Sequence, residues 1–158
     1  MEEQRLETLL RHIKNVRENT EILGERLIAG GEEQLGRELI ANGLIHDNSK
    51  LRGIEWLYLH QDVKDKEPEL FKAAYEQHVT SPLNRHHPEA WVNSIQEMDR
   101  LHLAEMICDV KARSSEFGDN IHDWLKDKAT KKWKFSLRSL VYRELKDFLD
   151  MLVEPKFS

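Results

Sequence analysis

An apolar helical repeat runs directly into a histidine–aspartate pair in residues 35–50, which read LGRELIANGLIHDNSK. Apolar residues recur there at the three- and four-residue steps of one helix face, at Leu35, Leu39, Ile40 and Leu44. The helix therefore delivers His46 and Asp47 side by side to its C-terminal end. Two metal-ligand side chains at a helix end favour metal chemistry, although a histidine–aspartate dipeptide alone is weak evidence.

The same periodicity continues on both sides of this stretch. It predicts helices from Leu6 to Val16, from Phe71 to His78, roughly from Ser94 to Ser115, and roughly from Ser136 to Leu152, the last ending near Pro155. We expect Gly24, Gly30 and Gly31 to interrupt the chain between the first two helices. No alternating segment is long enough to indicate a strand. The sequence therefore predicts an all-α bundle of about six helices.

Length and composition are typical of one intracellular domain. The 158 residues suffice to bury a core, so we expect a single domain over residues 1–158. The only cysteine, Cys108, cannot form an internal disulfide and reads as a small buried side chain. No apolar run reaches the roughly 20 residues of a membrane helix, and no signal peptide is evident. We therefore expect a cytoplasmic protein without a membrane partner, and a homodimer stays open.

The charge of the chain limits its partners. The net charge is −5, and the basic residues are spread along the chain. A duplex-binding protein needs a broad positive footprint for the phosphate backbone, so we expect no long nucleic acid as a partner. A small phosphorylated substrate in a local basic pocket stays open.

Several further metal-ligand side chains lie on or just past apolar helix faces. His12 borders the first face, His78 continues the third, and Asp109 lies among apolar neighbours on the helix predicted from Ser94 to Ser115. A single histidine is more often a packing residue than a ligand, but a buried polar ring without a partner is costly. If their helices pack as neighbours, these side chains and the His46–Asp47 pair converge on one or two divalent ions.

This order of residues resembles the HD superfamily of metal-dependent phosphohydrolases. The pattern of that superfamily is an upstream histidine, an adjacent histidine–aspartate pair and a distant aspartate, matched here by His12, His46, Asp47 and Asp109. The chain is more specifically similar to a poorly characterised phage and bacterial family of small HD-like proteins, through residues 46–50, 84–87 with Trp91, and 105–109. The resemblance spans roughly residues 8–125 and implies an HD-like helical bundle.

The resemblance also implies a second ion. Two-metal members of the superfamily insert histidines between the pair and the last aspartate, and His78 with His86 or His87 fits that position. Which of these two adjacent histidines coordinates stays open, as does the metal, among Mn, Mg, Fe, Co, Ni and Zn. Asp47 is the candidate to bridge two ions.

Three more residues are candidates for the chemistry. Lys50 and Arg85 lie next to proposed ligands and can neutralise charge on a phosphoryl oxygen. Glu105, one turn before Asp109, can orient a ligand histidine or transfer a proton. Lys50 stands where the nucleotidase-like branches often carry an acidic residue, so the chain departs from their pattern.

These residues lead to one expected function and three alternatives. We expect a phosphohydrolase that acts on a small phosphoester, such as a nucleotide or a nucleotide-derived molecule. The alternatives are a protein that sequesters a nucleotide without turnover, a di-iron oxygenase, and a structural helical protein. Metal content, product formation and oxygen consumption distinguish them.

Overall fold

The structure is a computed structural model that describes residues 2–154, and all regular structure in this range is helical. The helices are α1 (Glu2–Ala29), α2 (Glu33–Ile45), α3 (Gly53–Tyr58), α4 (Gln61–Lys66), α5 (Pro68–Thr80), α6 (Arg100–Phe117), α7 (Ile121–Asp123), α8 (Thr130–Lys132) and α9 (Leu140–Val153). A π-helix, Trp124–Ala129, joins α7 to α8, and short 3₁₀ turns cover Asn48–Leu51, Pro82–Asn84, Pro88–Ala90 and Ser94–Gln96. The predicted all-α helical bundle is confirmed.

The first helix is longer than the sequence analysis expects. α1 continues through Gly24, where we expected an interruption, and ends only at the turn formed by Gly30–Gly31. A Cβ atom added to Gly24 or Gly36 would overlap the backbone carbonyl of the other glycine, and one added to Gly43 would overlap the Thr20 hydroxyl. These glycines therefore permit close packing of α1 on α2, which overrides the low helix propensity of Gly24.

The chain divides into two compact units. The first unit comprises Met1–His46 and Met98–Ser158, and the second unit comprises Asp47–Glu97. In the first unit α1 packs against α2, α6 and α9, and α6 also contacts α2 and α9. In the second unit α3 and α4 pack against α5, and the 3₁₀ turn Pro88–Ala90 contacts α5. A single domain over residues 1–158 stays a prediction.

The other helix boundaries differ modestly from those predicted. α6 begins at Arg100, because Asp99 accepts a hydrogen bond from the His102 backbone amide and caps the helix there. The predicted end of the last helix, near Pro155, lies outside the described residues. None of the helices within residues 2–154 combines the length and apolar character needed to cross a bilayer.

Candidate metal centre

One group of candidate ligands comes from three long helices of the first unit. His12 lies within α1, His46 follows the last residue of α2, and Asp109 lies within α6. Asp109 Oδ1 is 2.9 Å from His12 Nε2 and 3.7 Å from His46 Nε2. One ligand atom from each residue lies within 4.8 Å of the others, and both histidines are buried. His12, His46 and Asp109, here called the first cluster, can therefore hold a metal ion.

Glutamates contact the other ring nitrogen of each histidine in the first cluster. Glu116 Oε2 is 3.0 Å from His12 Nδ1, and Glu105 Oε1 is 3.0 Å from His46 Nδ1. A neutral imidazole carries one N–H, and a carboxylate beside Nδ1 favours the tautomer that has its hydrogen there. The lone pair of Nε2 is then directed towards Asp109, as expected of a ligand histidine.

His12 has a carboxylate beside each of its two ring nitrogens. Both carboxylates lie within hydrogen-bond distance, and a neutral ring can donate to only one of them. A cation bound between Nε2 and Asp109 would relieve this conflict. The Asn15 amide donates to Glu116 at 3.1 Å, which holds that carboxylate against the ring. The Asn42 amide donates in the same way to Glu105, also at 3.1 Å.

A second group of candidate ligands belongs to the second unit. Asp47 Oδ1 is 3.4 Å from His78 Nε2 and 3.5 Å from His86 Nε2. His87 Nε2 is 3.0 Å from His78 Nε2, a distance that needs either one N–H between the two nitrogens or a shared cation. One ligand atom from each of the four residues lies within 4.8 Å of the others. We call Asp47, His78, His86 and His87 the second cluster, which can also hold a metal ion.

A buried glutamate in α3 organises the surroundings of the second cluster. Glu55 Oε1 is 2.6 Å from His78 Nδ1 and accepts a hydrogen bond from Ser49 Oγ at 2.9 Å. Gln77 donates to the other oxygen of Glu55 at 3.3 Å. The Asn84 amide donates to Ser49 Oγ at 3.0 Å and to the His78 carbonyl at 3.1 Å. Glu55 therefore contacts Nδ1 of His78 just as Glu116 contacts Nδ1 of His12.

The backbone at Asp47 has an uncommon conformation. Asp47 lies in the left-handed region with φ 56°, which aspartate tolerates better than most residues. The 3₁₀ turn Asn48–Leu51 follows, and the Lys50 amide donates to the Asp47 carbonyl at 3.0 Å. This turn brings Lys50 Nζ to 2.8 Å from Asp47 Oδ2. Sparsely populated conformations of this kind are concentrated at functional sites.

The two predicted phosphate-binding cations both lie beside residues of the second cluster. Lys50 is paired with Asp47, and Arg85 immediately precedes His86. The Arg85 guanidinium lies 3.8 Å from the ring centroid of Trp91, whose indole Nε1 donates to the Arg85 carbonyl at 2.8 Å. These two contacts fix the Arg85 guanidinium on the Trp91 ring. Both cations remain candidates for binding an anion at this cluster.

The structure distributes the seven predicted metal ligands between two groups. His12, His46 and Asp109 form the first cluster, whereas Asp47, expected to share their ion or to bridge two ions, groups with His78, His86 and His87. Both His86 and His87 lie within reach, so the choice between them stays open. The predicted Glu105 contacts a candidate ligand, His46.

Sequence reasoning missed Glu55 and Glu116. An available signal for Glu55 was an acidic residue between apolar neighbours, Ile54 and Trp56, the same signal that indicated Asp109. Glu116 lies about two helical turns after Asp109 on α6, but Ser115 precedes it and only Phe117 beside it is apolar, so no comparable signal marks it. Glu116 is recognisable only from its contact with His12.

Cys108 has no role in either cluster. Burial raises the pKa of its thiol well above the usual value, and the Glu105 and Asp109 carboxylates add to the increase. The side chain is fully buried in α6. These properties fit a small buried side chain and not a reactive thiolate.

Comparison with known proteins identifies the family but no function. Residues 1–154 match the family described as Family of unknown function (DUF5662), so the chain belongs to that family. No curated protein and no solved structure matches the chain. The HD-like assignment therefore rests on the sequence resemblance.

Proposed function

We propose that this protein is a divalent-metal-dependent phosphohydrolase that acts on a small phosphoester, either a nucleotide or a nucleotide-derived molecule. The observation that carries the proposal is one contact repeated at His12, His46 and His78. In each case a glutamate oxygen lies 2.6–3.0 Å from Nδ1 while Nε2 approaches an aspartate of a cluster. Carboxylates in this position orient metal-ligand histidines. The resemblance to HD phosphohydrolases supplies the reaction class.

The chemistry follows from the donors and from the neighbouring cations. A divalent ion bound by these residues would supply a Lewis acid that activates water and polarises a phosphoryl oxygen. Phosphoryl transfer depends mainly on positioning and on neutralisation of charge. Arg85 is suited to that task because its stacking on Trp91 fixes the guanidinium before an anion binds. Lys50 would exchange its contact with Asp47 for a phosphoryl oxygen once a metal ion neutralises that carboxylate.

A second candidate function is sequestration of a nucleotide without turnover. The Lys50 ammonium lies 2.8 Å from Asp47 Oδ2, on a carboxylate that a metal ion would also need. A permanent ion pair there weakens the attraction of Asp47 for a metal ion. In this alternative Arg85 and Lys50 bind the phosphates of a nucleotide, but no product forms.

Elemental analysis combined with a phosphate-release assay tests the proposal. We expect purified protein to contain a divalent metal ion in each cluster and to release phosphate from at least one member of a panel of nucleotides and cyclic nucleotides. His78→Ala should lose the ion of the second cluster together with activity. His122→Ala removes an exposed histidine outside both clusters and is the matched control.

The other outcomes are equally distinct. Iron with oxygen consumption but no phosphate release would indicate an oxygenase, and tight nucleotide binding without product would indicate sequestration. Metal-free protein that takes up no divalent ion and hydrolyses no phosphoester would refute both the centre and the reaction. Unchanged melting in the presence of a chelator would then support a structural role for the helices.

A further inference from the structure

A short segment of the first unit carries concentrated positive charge. Residues 124–138, WLKDKATKKWKFSLR, contain six cations and one acid, a net charge of +5. The other 143 residues contain 18 basic and 28 acidic side chains, a net charge of −10. The expectation of no long nucleic acid partner rests on basic residues spread along the chain, yet six of the 24 lie in this one stretch.

The fold presents these cations to solvent. All six are exposed, namely Lys126, Lys128, Lys131, Lys132, Lys134 and Arg138. Within residues 2–154, the ammonium groups of Lys126, Lys128 and Lys131 form no ion pair with a carboxylate. By contrast, Lys146 on α9 pairs with Asp150 at 2.5 Å. Lys126, Lys128 and Lys131 are thus cations whose charge no carboxylate of the described residues neutralises, and their mutual repulsion favours an anionic partner.

The backbone that carries the cations is fixed on the core of the first unit. Leu125, Ala129 and Phe135 are buried there, and the six residues Trp124–Ala129 adopt a π-helix. π-Helical segments are rare and are found frequently at functional sites. These side chains pack in the core, and Leu137 is the exposed aliphatic side chain of the segment, which is too little for the exposed apolar face that insertion into a lipid surface requires.

Two tryptophans lie among the cations. Trp124 and Trp133 are partly exposed, and their ring centroids are 5.8 Å apart with planes at 68°. Lys132 Nζ lies 4.7 Å from the Trp133 ring centroid. Indole faces bordered by ammonium groups are the combination that binds unpaired bases, since bases stack on aromatic rings while phosphates contact cations.

We propose that residues 124–138 form a binding surface for single-stranded nucleic acid. The lysines contact the phosphates, and bases stack on Trp124 and Trp133. Five of the six cations are lysines, which act as point charges and lack the bidentate geometry that reads bases, so binding is independent of sequence. A duplex keeps its bases stacked internally and would use only the cations. The proposal does not depend on the phosphohydrolase activity, because the surface contains no residue of either cluster.

Fluorescence anisotropy with a labelled single strand of about 15 nucleotides, within the usual range of site sizes, tests this surface in the full chain. If four phosphates are contacted, affinity should fall about 50-fold between roughly 50 and 200 mM salt. Combined Lys128→Glu, Lys131→Glu and Lys132→Glu substitutions should weaken binding at least about tenfold at the lower salt. The control combines Lys64→Glu, Lys66→Glu and Lys72→Glu, three exposed lysines elsewhere, and reaches the same net charge.

A second variant tests stacking separately from charge. Trp124→Leu should weaken binding about fivefold or more without changing the salt dependence, and circular dichroism should show that the variant folds. Equal affinity for a duplex of the same length, or for vesicles of phosphatidylcholine and phosphatidylserine, would overturn the proposal. Equal weakening by the two triple variants would also overturn it, since general charge would then explain the binding.

Discussion

The two histidine clusters are built in contrasting ways. The first cluster takes its ligands from α1, the end of α2 and α6, and His12 and Asp109 are 97 positions apart in sequence. The second cluster draws all its ligands from residues 47–87, and only His78 among them lies in a helix longer than one turn. The packing of long helices therefore positions the first cluster, whereas a local hydrogen-bond network around Glu55 positions the second.

This difference predicts which structural changes would cost each cluster its metal ion. Displacement of α1 relative to α2 or α6 should disrupt the first cluster even if no ligand changes. Loss of a single hydrogen bond to Glu55 should disrupt the second cluster while the long helices remain intact. Metal content measured separately for the two clusters can distinguish these responses.

The largest expected effect comes from the aspartates. Asp47→Ala should remove the ion of the second cluster and Asp109→Ala that of the first, because each variant loses the only carboxylate of its cluster. We expect phosphate release to fall to background in Asp47→Ala. Metal analysis and the phosphate-release assay provide the measurements, with His122→Ala as the control. Full metal occupancy in both aspartate variants would contradict the ligand assignment.

A large effect on turnover alone is expected at Lys50. Lys50→Ala should lower kcat/KM by an amount equivalent to about 2–4 kcal/mol, because it removes a cation that stabilises the transition state. Metal content should be retained or increased, because the competing ammonium beside Asp47 is gone. The kinetic measurement needs parallel metal analysis and melting curves. Unchanged kcat/KM would exclude Lys50 from the mechanism, and a collapsed fold would assign it a structural role.

A smaller effect should follow from the glutamates, and it compares the clusters directly. Glu55→Gln and Glu116→Gln keep the size of the side chain but remove the charge that orients His78 and His12. We expect metal affinity to fall about 10- to 100-fold in the affected cluster only. Glu55→Gln should be nearer the upper limit, because Ser49 and Gln77 also depend on that carboxylate. Titration calorimetry with a divalent ion measures the metal affinity of each cluster. If either variant lowered the affinity of both clusters equally, the two clusters would not bind metal independently.

The smallest effect is expected at the contact between α1 and α2. Gly43→Ala should destabilise the protein by about 1–2 kcal/mol, since the added Cβ overlaps the Thr20 hydroxyl. The first cluster should lose metal affinity while the second keeps it. Addition of Thr20→Ala should restore part of the stability by removing that hydroxyl. Chemical denaturation of the two single variants and the double variant measures the coupling, and strict additivity would mean that the overlap relaxes elsewhere.

The sequence predicts the all-α fold and the candidate ligands better than it predicts the short helices and the glutamates that orient the ligand histidines. Apolar periodicity identifies α2 and α5, although Leu44 and Tyr75 on the predicted faces are exposed. It also marks His12, His78 and Asp109 as polar residues on or beside apolar faces. It does not identify α3 or α4, whose six residues are fewer than two turns. It also cannot select Glu55 and Glu116 from 29 acidic residues, because their roles depend on contacts across 23 and 104 positions of sequence.

The close contact of α1 with α2 also has a consequence for the order of assembly during synthesis. α1 and α2 are consecutive helices joined by a short turn, so this hairpin can form as soon as it leaves the ribosome. His12 and His46, with ring centroids 5.9 Å apart, would then be paired early. Asp109 is synthesised only after the whole of residues 47–97. We therefore expect the nascent chain to expose two histidines to cellular metal ions before the aspartate that completes their cluster exists.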